Sequence, residues 1–283
     1  MISPRAIIKN RKLLRQWRRL SGYSSRKIIS RGRKVDMCEY VIPVQHRELD
    51  GKTIFFFSDL HWDGDHVVGE ELIRWNADVS PDWVICGGDL ISYSCHMQSA
   101  LELISRLKCR NTPLVVPGNW DKKRYSWFPQ ECWEECYARA GFKLLLNSEW
   151  NEHGVRFWGT DDFKLGNPVY VPAGSKDDFS ILLAHNPDTL IKIDALLDTV
   201  NLVLCGHTHA GQIRVPRLGA LRTSSLYWRK FDCGEFLHTG RGTHMLVSAG
   251  LGCTGVDFRL FARREVMLVR LKYVNQSATS SVK

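Results

Sequence analysis

The sequence predicts an α/β fold made of two halves of sheet, each covered by helices and both sending ligands to one site. Three observations predict it. Short apolar runs of strand length alternate with helical segments, the pattern that gives parallel pairing through right-handed crossovers. Five of those runs stop abruptly at polar, metal-capable residues with small glycine neighbours. A hydrophobic content of 44% over 283 residues is ample for a core.

The elements follow in chain order. Residues 6–20 place Leu13, Trp17 and Leu20 at i, i+4 and i+7, with Arg and Lys over most of the remaining surface, which predicts a short basic amphipathic helix. It belongs to a leader, residues 1–36, ahead of a single domain over 37–273. Residues 1–34 hold 12 Lys or Arg and no Asp or Glu, so the formal charge of +9 less these twelve leaves −3 for the rest. An anionic membrane surface ranks first as the leader's partner, since each basic residue near the headgroups contributes about 1 kcal/mol. A solvated arm or a helix docked on the body ranks just behind. Nucleic acid comes third and is not expected, because no binding fold accompanies the charge.

Residues 38–45 suit a strand, and Asp50-Gly51 is a turn signal, so a hairpin is predicted into the buried strand 54–58. A helix over 67–77, a strand over 83–86, a helix over 98–108 and a strand over 114–116 come next. The helix over 129–140 has Pro129 near its first turn and Gly141 just past its end. Strands 143–146 and 155–159 flank a turn at 151–154, and the charged loop 161–178 is expected to line the cleft. The second half gives strand 181–183, a helix over 189–197 and strand 202–204. Strands 227–232, 235–238, 245–248 and 266–271 follow, and the Ser/Thr-rich tail 274–283 is expected to be disordered.

Nine scattered cysteines with no CxxC pair indicate neither a disulfide framework nor a zinc finger, which suits a reducing compartment. No apolar run is long enough to cross a bilayer, and none follows the N-terminal charges as a signal peptide requires. The expected location is the cytoplasm, with the inner membrane face as a possible station for the leader.

The strand ends carry the chemistry. Residues 55–57 run into Asp59 and His61, 84–86 into Gly87-Gly88-Asp89, and 114–116 into Gly118-Asn119-Trp120-Asp121. Residues 181–183 run into His185-Asn186, and 202–204 into Gly206-His207-Thr208-His209. In open α/β sheets ligands bind outside the carboxyl ends of strands, so these groups are presented to a ligand. Carboxylate, carboxamide and imidazole together suit Mn²⁺, Fe²⁺ or Zn²⁺, whereas Mg²⁺ alone favours more oxygen. Seven ligands exceed what one four-coordinate ion takes. They suit two ions roughly 3.5–4 Å apart sharing a carboxylate, which polarises a phosphoryl group and lowers the pKa of a bridging water. A single histidine in such a place is more often a satisfied core or surface residue, but that does not explain five strand ends of one kind.

Asp59-Leu60-His61, Gly87-Gly88-Asp89, Gly118-Asn119-Trp120-Asp121, His185 and Gly206-His207-Thr208-His209 resemble the five-block signature of the calcineurin-like metallophosphoesterases. The resemblance spans residues 54–209. It implies a four-layer α/β/β/α sandwich of two mixed sheets with a dinuclear site at their edges. Carried over by position, Asp59, His61 and His209 would hold one ion, Asn119, His185 and His207 the other, and Asp89 would bridge them. Mn²⁺ is the leading choice for both ions. Asp89, Asn119 and Asp121 form the expected catalytic set. Residues 184–188 and 205–216 are similar to a narrower bacterial branch that includes phosphodiesterases and the UDP-2,3-diacylglucosamine pyrophosphatases of lipid A synthesis.

Two departures matter. Where the family usually carries a histidine that contacts phosphate and assists the leaving group, this chain has Trp120, whose indole donates a hydrogen bond but delivers no proton. That tilts the expectation toward a phosphoanhydride, with a nucleotide-linked lipid sugar as substrate class; a general phosphodiesterase or phosphomonoesterase is the alternative, and a binding scaffold with lost catalysis the reading from another class. Trp120, Lys122, Lys123, Arg124 and Asn186 are the expected substrate contacts, with Asp121 left to pair with the neighbouring bases and aromatics such as Trp62, Trp127, Phe128 and Phe163 lining the cleft. Second, Ser248-Ala249-Gly250 replaces a Ser/Thr-Arg-Gly step, so Arg241 or Arg259 must supply the arginine, or the substrate differs.

Overall fold

The computed structural model describes residues 14–21, 27–125, 129–172 and 178–275. Its plan is visible in one strand. Every residue of Thr53–Phe57 is buried, with Ile54 and Phe56 packed between two sheets and Phe55 and Phe57 packed against helices. A strand covered on both faces reads as a continuous apolar run, as this one does.

The first sheet runs, in hydrogen-bond order, β2 (Lys27–Ile29), β3 (Val35–Val44), β16 (Arg264–Tyr273), β4 (Thr53–Phe57), β5 (Trp83–Cys86), β6 (Leu114–Val115) and β7 (Lys143–Leu144). The second runs β1 (Trp17–Ser21), β14 (Gly234–His238), β15 (His244–Val247), β11 (Leu202–Cys205), β10 (Phe179–Leu183), β9 (Val155–Gly159) and β8 (Ser148–Glu152). A two-stranded ribbon, β12 (Arg214–Val215) with β13 (Gly219–Ala220), stands apart. Strands β4 to β7 are mutually parallel, and so are β9, β10, β11 and β15. Helices α1 (His66–Val79), α2 (Met97–Ser105) and α4 (Gln130–Arg139) cover the first sheet, while α5 (Leu190–Ile193) and its flanking 3-10 turns cover the second. The short α3 (Asn119–Tyr125) starts just past β6. Facing apolar rows of the two sheets, such as Ile54, Phe56, Ile181 and Leu204, make a central core, so the layers are α/β/β/α as expected.

Several local expectations are corrected. β3 and β4 do not form a hairpin, because β16 lies between them, parallel to β3 over ten residue pairs and antiparallel to β4. Two ten-residue strands with matching apolar rows pair more extensively than a hairpin would, and Asp50 of the expected turn instead accepts a hydrogen bond from the Tyr273 N–H at 2.9 Å. The end of the expected leader helix is a strand. Trp17–Ser21 pairs antiparallel with β14, and Trp17 is buried edge-on against Phe231 and His238. The open edge of β14 offers a ladder and a pocket that helical spacing alone does not reveal. β1 and β2 thus join the two sheets, so the expected leader is in part sheet structure, while residues 1–13 and 276–283 lie outside the described residues.

Residues 227–232 form turns rather than a strand, because Asp232 is taken by Arg19 and Arg214 and regular pairing begins at Gly234. The helix expected over 189–197 is broken into a 3-10 turn, α5 and a second 3-10 segment. Asn151 belongs to β8, the turn being at His153-Gly154. All nine cysteines are free, and no described helix is long and apolar enough to cross a membrane.

Candidate metal centre

The carboxyl ends of β4, β5 and β6 in one sheet and β10 and β11 in the other converge on one buried cluster. Asp59, His61 and His209 form one triad and Asp89, His185 and His207 a second, with the possible ligand atoms of each within 4.8 Å of one another. All six are buried. Asp89 links the triads, since its Oδ2 lies 3.2 Å from His185 Nε2 and 3.6 Å from His61 Nε2. That is the placement expected of a shared carboxylate.

The backbone is bent to achieve this. Asp59, His61, Asp89, His207 and His209 have φ of 53°, 46°, 54°, 70° and 51°, in the left-handed region that non-glycine residues rarely adopt. Such conformations cost of order 1–3 kcal/mol each and persist where surrounding structure imposes them. Here the glycines allow it. A Cβ on Gly206 would land on Ser58 Oγ and Asp59 Oδ2, and one on Gly118 would land on Asp89.

Outer hydrogen bonds orient the ligands. Ser58 Oγ–H donates to Asp59 Oδ2 at 2.7 Å, and the His207 N–H donates to both Asp59 oxygens at 3.0 Å. His185 Nδ1 donates to the Gly87 carbonyl at 2.8 Å, turning Nε2 into the cluster. His61 Nδ1 lies 2.9 Å from Ser92 Oγ. Partners of this kind fix ring orientation at metal sites. Burial pushes the His61, His207 and His209 pKa values down, keeping those imidazoles neutral. Burial acts against charge on Asp89 as well, but the His185 charge and hydrogen bond outweigh it and hold the carboxyl below its usual range. Burial acts against charge on His185 too, but the Asp89 charge and hydrogen bond outweigh it and push the imidazole up to about 10, so the proton shared by that pair stands where a cation would displace it.

Asn119 provides an independent test of fit. Its Oδ1 is buried with no hydrogen-bond partner among the described residues. An unsatisfied buried acceptor costs about 1–3 kcal/mol, which a cation would relieve. The residues present therefore fit two divalent ions, one per triad, and leave the Asn119 oxygen available to a cation.

The expected substrate contacts fare unequally. Trp120 lines a cleft of about 200 Å³ together with His61, Trp62, Tyr93 and Asp257. Its backbone N–H donates to Asp89 Oδ1 at 2.7 Å, and its ring meets His61 edge-on at 5.7 Å. Lys123 lies over the Trp120 ring at 4.9 Å. Lys122 is committed to Asp161 at 2.6 Å, and the side chain of Arg124, like all of Trp127 and Phe128, lies outside the described residues. Asn186 is fully buried and spends its Oδ1 on the Asp188 N–H, capping a 3-10 turn, while its Nδ2 has no hydrogen-bond partner among the described residues. Asp121 does not pair with the lysines. It accepts the N–H groups of Asp89, Leu90 and Gly118 at 2.8–2.9 Å, which ties the β5 end to the β6 end.

Three further basic groups stand on the His209 side of the cluster. Lys164, in the expected cleft loop, and Arg222 line a second cavity of about 670 Å³ with Thr208 and His209. Arg259 Nη2 lies 3.2 Å from His209 Nδ1, whereas Arg241 pairs with Asp198 at the opposite strand edge. Of the two arginines left open, Arg259 is the one beside the cluster, where it also donates to the Ala249 and Gly252 carbonyls. No motif marks Lys164 or Arg222; their signal was confined to being basic residues in glycine-bearing loops.

A profile of the calcineurin-like phosphoesterases matches residues 52–211, more than half the chain and the whole ligand set. The chain is a calcineurin-like phosphoesterase. It is 32% identical over 241 residues to the Bacillus subtilis protein named uncharacterized metallophosphoesterase YkuE, covering 80% of this chain and 81% of that one. Over 228 residues it is 27% identical to the Escherichia coli phosphodiesterase YaeI, covering 77% and 81%. A second Bacillus subtilis protein, YpbG, is 31% identical over 235 residues, covering 77% and 80%. This calcineurin-like phosphoesterase is therefore a metal-dependent hydrolase of phosphoesters, and its two triads are candidate sites for divalent ions.

Proposed function

We propose that this phosphoesterase cleaves a diester or anhydride whose leaving group is already a weak base. The leading substrate class is a nucleotide-linked lipid sugar such as UDP-2,3-diacylglucosamine, cut at its pyrophosphate. The observation that carries the reading is Trp120 at the mouth of the cluster, its ring centroid 5.7 Å from that of His61, in the place where a proton donor would otherwise stand. An indole N–H can bind a phosphoryl oxygen but cannot release its proton to an alkoxide. A phosphate leaving group needs no such proton.

Bound divalent ions would supply polarisation of the phosphoryl group and a lowered pKa for water between them. The chain's own residues do the rest. Asp59, His61 and His209 would hold one ion and His185 and His207, with Asn119, the other, with Asp89 between the two triads. Lys164, Arg222 and Arg259 place positive charge on one side of the cluster, suited to diphosphate oxygens. Trp62, Tyr93 and Trp120 give the other side an aromatic wall suited to a base or sugar face.

The test is hydrolysis of UDP-2,3-diacylglucosamine and of bis(p-nitrophenyl) phosphate by purified protein with Mn²⁺, with Asp89→Ala as control. UMP release well above diester turnover, abolished in the variant, supports the reading. Diester cleavage without UMP release sinks the lipid-sugar assignment and favours the second reading, a general phosphodiesterase, which the name of the Escherichia coli relative supports.

A further inference from the structure

We propose that the rim of the metal cleft is a docking surface for an anionic lipid bilayer, independent of the N-terminal basic segment and of which phosphoester is cleaved. Two segments that meet beside the cluster build it. Leu260 bridges Ile213, the Arg214 N–H donates to the Leu260 carbonyl at 2.9 Å, and Gln212 donates to the Val256 carbonyl at 2.7 Å. The shared rim encloses the cavity that His209 lines.

Its surface is apolar to a degree unusual for exposed loops. Leu218, Leu221, Trp228, Val256, Phe258 and Phe261 are 53, 48, 60, 59, 53 and 60% exposed. Val256 lines the cavity itself and the others lie on the two paired segments and the turn that follows the first, and exposed apolar residues that cluster beside a site mark an interaction surface. Trp228 and Phe261 also sit at φ of 53° and 52°, a left-handed conformation that bulky residues avoid. The fold thus holds two of its most exposed aromatic residues in strained backbone.

Charge selects the occupant. Residues 213–231 contain five Arg or Lys and no Asp or Glu, and residues 254–264 contain three Arg and the single acid Asp257. Among the described residues Arg217 and Arg222, both exposed between the apolar positions, make no ion pair. Aromatic and aliphatic residues that enter the acyl boundary, interleaved with arginines that meet anionic headgroups, form the pattern of an interfacial membrane contact. A bilayer seated there would face the metal cleft and deliver a membrane-embedded phosphoester to it.

The test is flotation of the full chain with vesicles of phosphatidylcholine alone or mixed with phosphatidylglycerol. The key variant is Trp228→Asn with Phe261→Asn. Asparagine tolerates φ near +50° far better than Trp or Phe, so the pair should unfold at or above the wild-type temperature, and turnover of a soluble diester should be unchanged. Wild type is expected to float with the mixed vesicles, the Asn pair about tenfold less. Arg217→Glu should weaken flotation with the mixed vesicles by about fivefold or more and leave neutral vesicles unaffected. Equal flotation of wild type and the Asn pair overturns the proposal, as does no flotation of either. Self-association in sedimentation velocity that the Asn pair abolishes, without vesicle binding, would make the face a contact between copies and equally overturn it.

Discussion

Replacing Asp121 by asparagine exchanges one oxygen for a nitrogen and tests how the metal cluster is held. The carboxylate accepts N–H groups from Asp89 and Gly118 on Oδ2 and from Leu90 on Oδ1, at 2.8, 2.9 and 2.9 Å. Whichever way the amide is turned, its NH₂ faces at least one backbone donor. The better orientation loses the Leu90 bond, and the worse loses two. A hydrogen bond to a charged group contributes about 1.5–3 kcal/mol, and a stranded buried donor costs about 1–3 kcal/mol. The expected loss is about 2–4 kcal/mol, a fall in Tm of roughly 5–12 °C for a chain of this size. Burial, and then the Asp89 charge, push the Asp121 carboxyl up to about 7, so the calorimetric comparison belongs near pH 8, where it is ionised. Turnover should fall with it, because Leu90, the residue that follows Asp89, loses its anchor while Asp89 keeps its side chain. A variant whose Tm stays within about 1 °C and whose turnover is intact would refute the claim that Asp121 joins the β5 and β6 ends.

Gly206→Ala, whose added methyl would land on Ser58 and Asp59, should lower metal content and turnover by at least about tenfold while leaving far-ultraviolet circular dichroism unchanged; wild-type metal content would count against it. Trp120→His should speed alkyl diesters relative to anhydrides, by up to about 10²-fold if the imidazole acts as acid; an unchanged ratio would mean that leaving-group protonation is not what Trp120 lacks. Asp82 is a pH-sensitive staple. Burial raises its pKa, but hydrogen bonds from the Thr53 N–H and hydroxyl and the Lys52 ion pair outweigh that and lower it overall. A depressed folded pKa gives stability that is present above about pH 4, the unfolded value, and lost as pH falls through the folded one. Asp82→Ala should therefore cost about 2–4 kcal/mol in urea unfolding at neutral pH, with the gap to wild type closing in acid. A gap that persists unchanged at about pH 3 would contradict this.

The ligand set was legible because buried parallel strands must be apolar to their last residue, so Asp59, Asp89, His185 and His207 stand out as interruptions beside glycines. The layers followed from the same alternation. What stayed hidden depended on partners far along the chain. Nothing near Asp50-Gly51 reveals that β16, more than two hundred residues on, inserts between β3 and β4. Trp17 satisfies helical spacing equally well until the open edge of β14 is in view. Motif position also misled on role. Asp121 and Asn186 both lie inside the signature blocks, yet both spend their side chains on backbone N–H groups. Lys164 and Arg259 come from loops whose approach to His209 is a matter of tertiary geometry alone.

The most direct measurement is the number of divalent ions bound per chain, by elemental analysis after reconstitution with Mn²⁺, in wild type and in a His185→Ala, His207→Ala double variant. The account predicts two ions in the wild type and one in the variant, since the triad of Asp59, His61 and His209 survives. One ion in both, or none in either, would contradict a dinuclear centre built from the ends of two sheets.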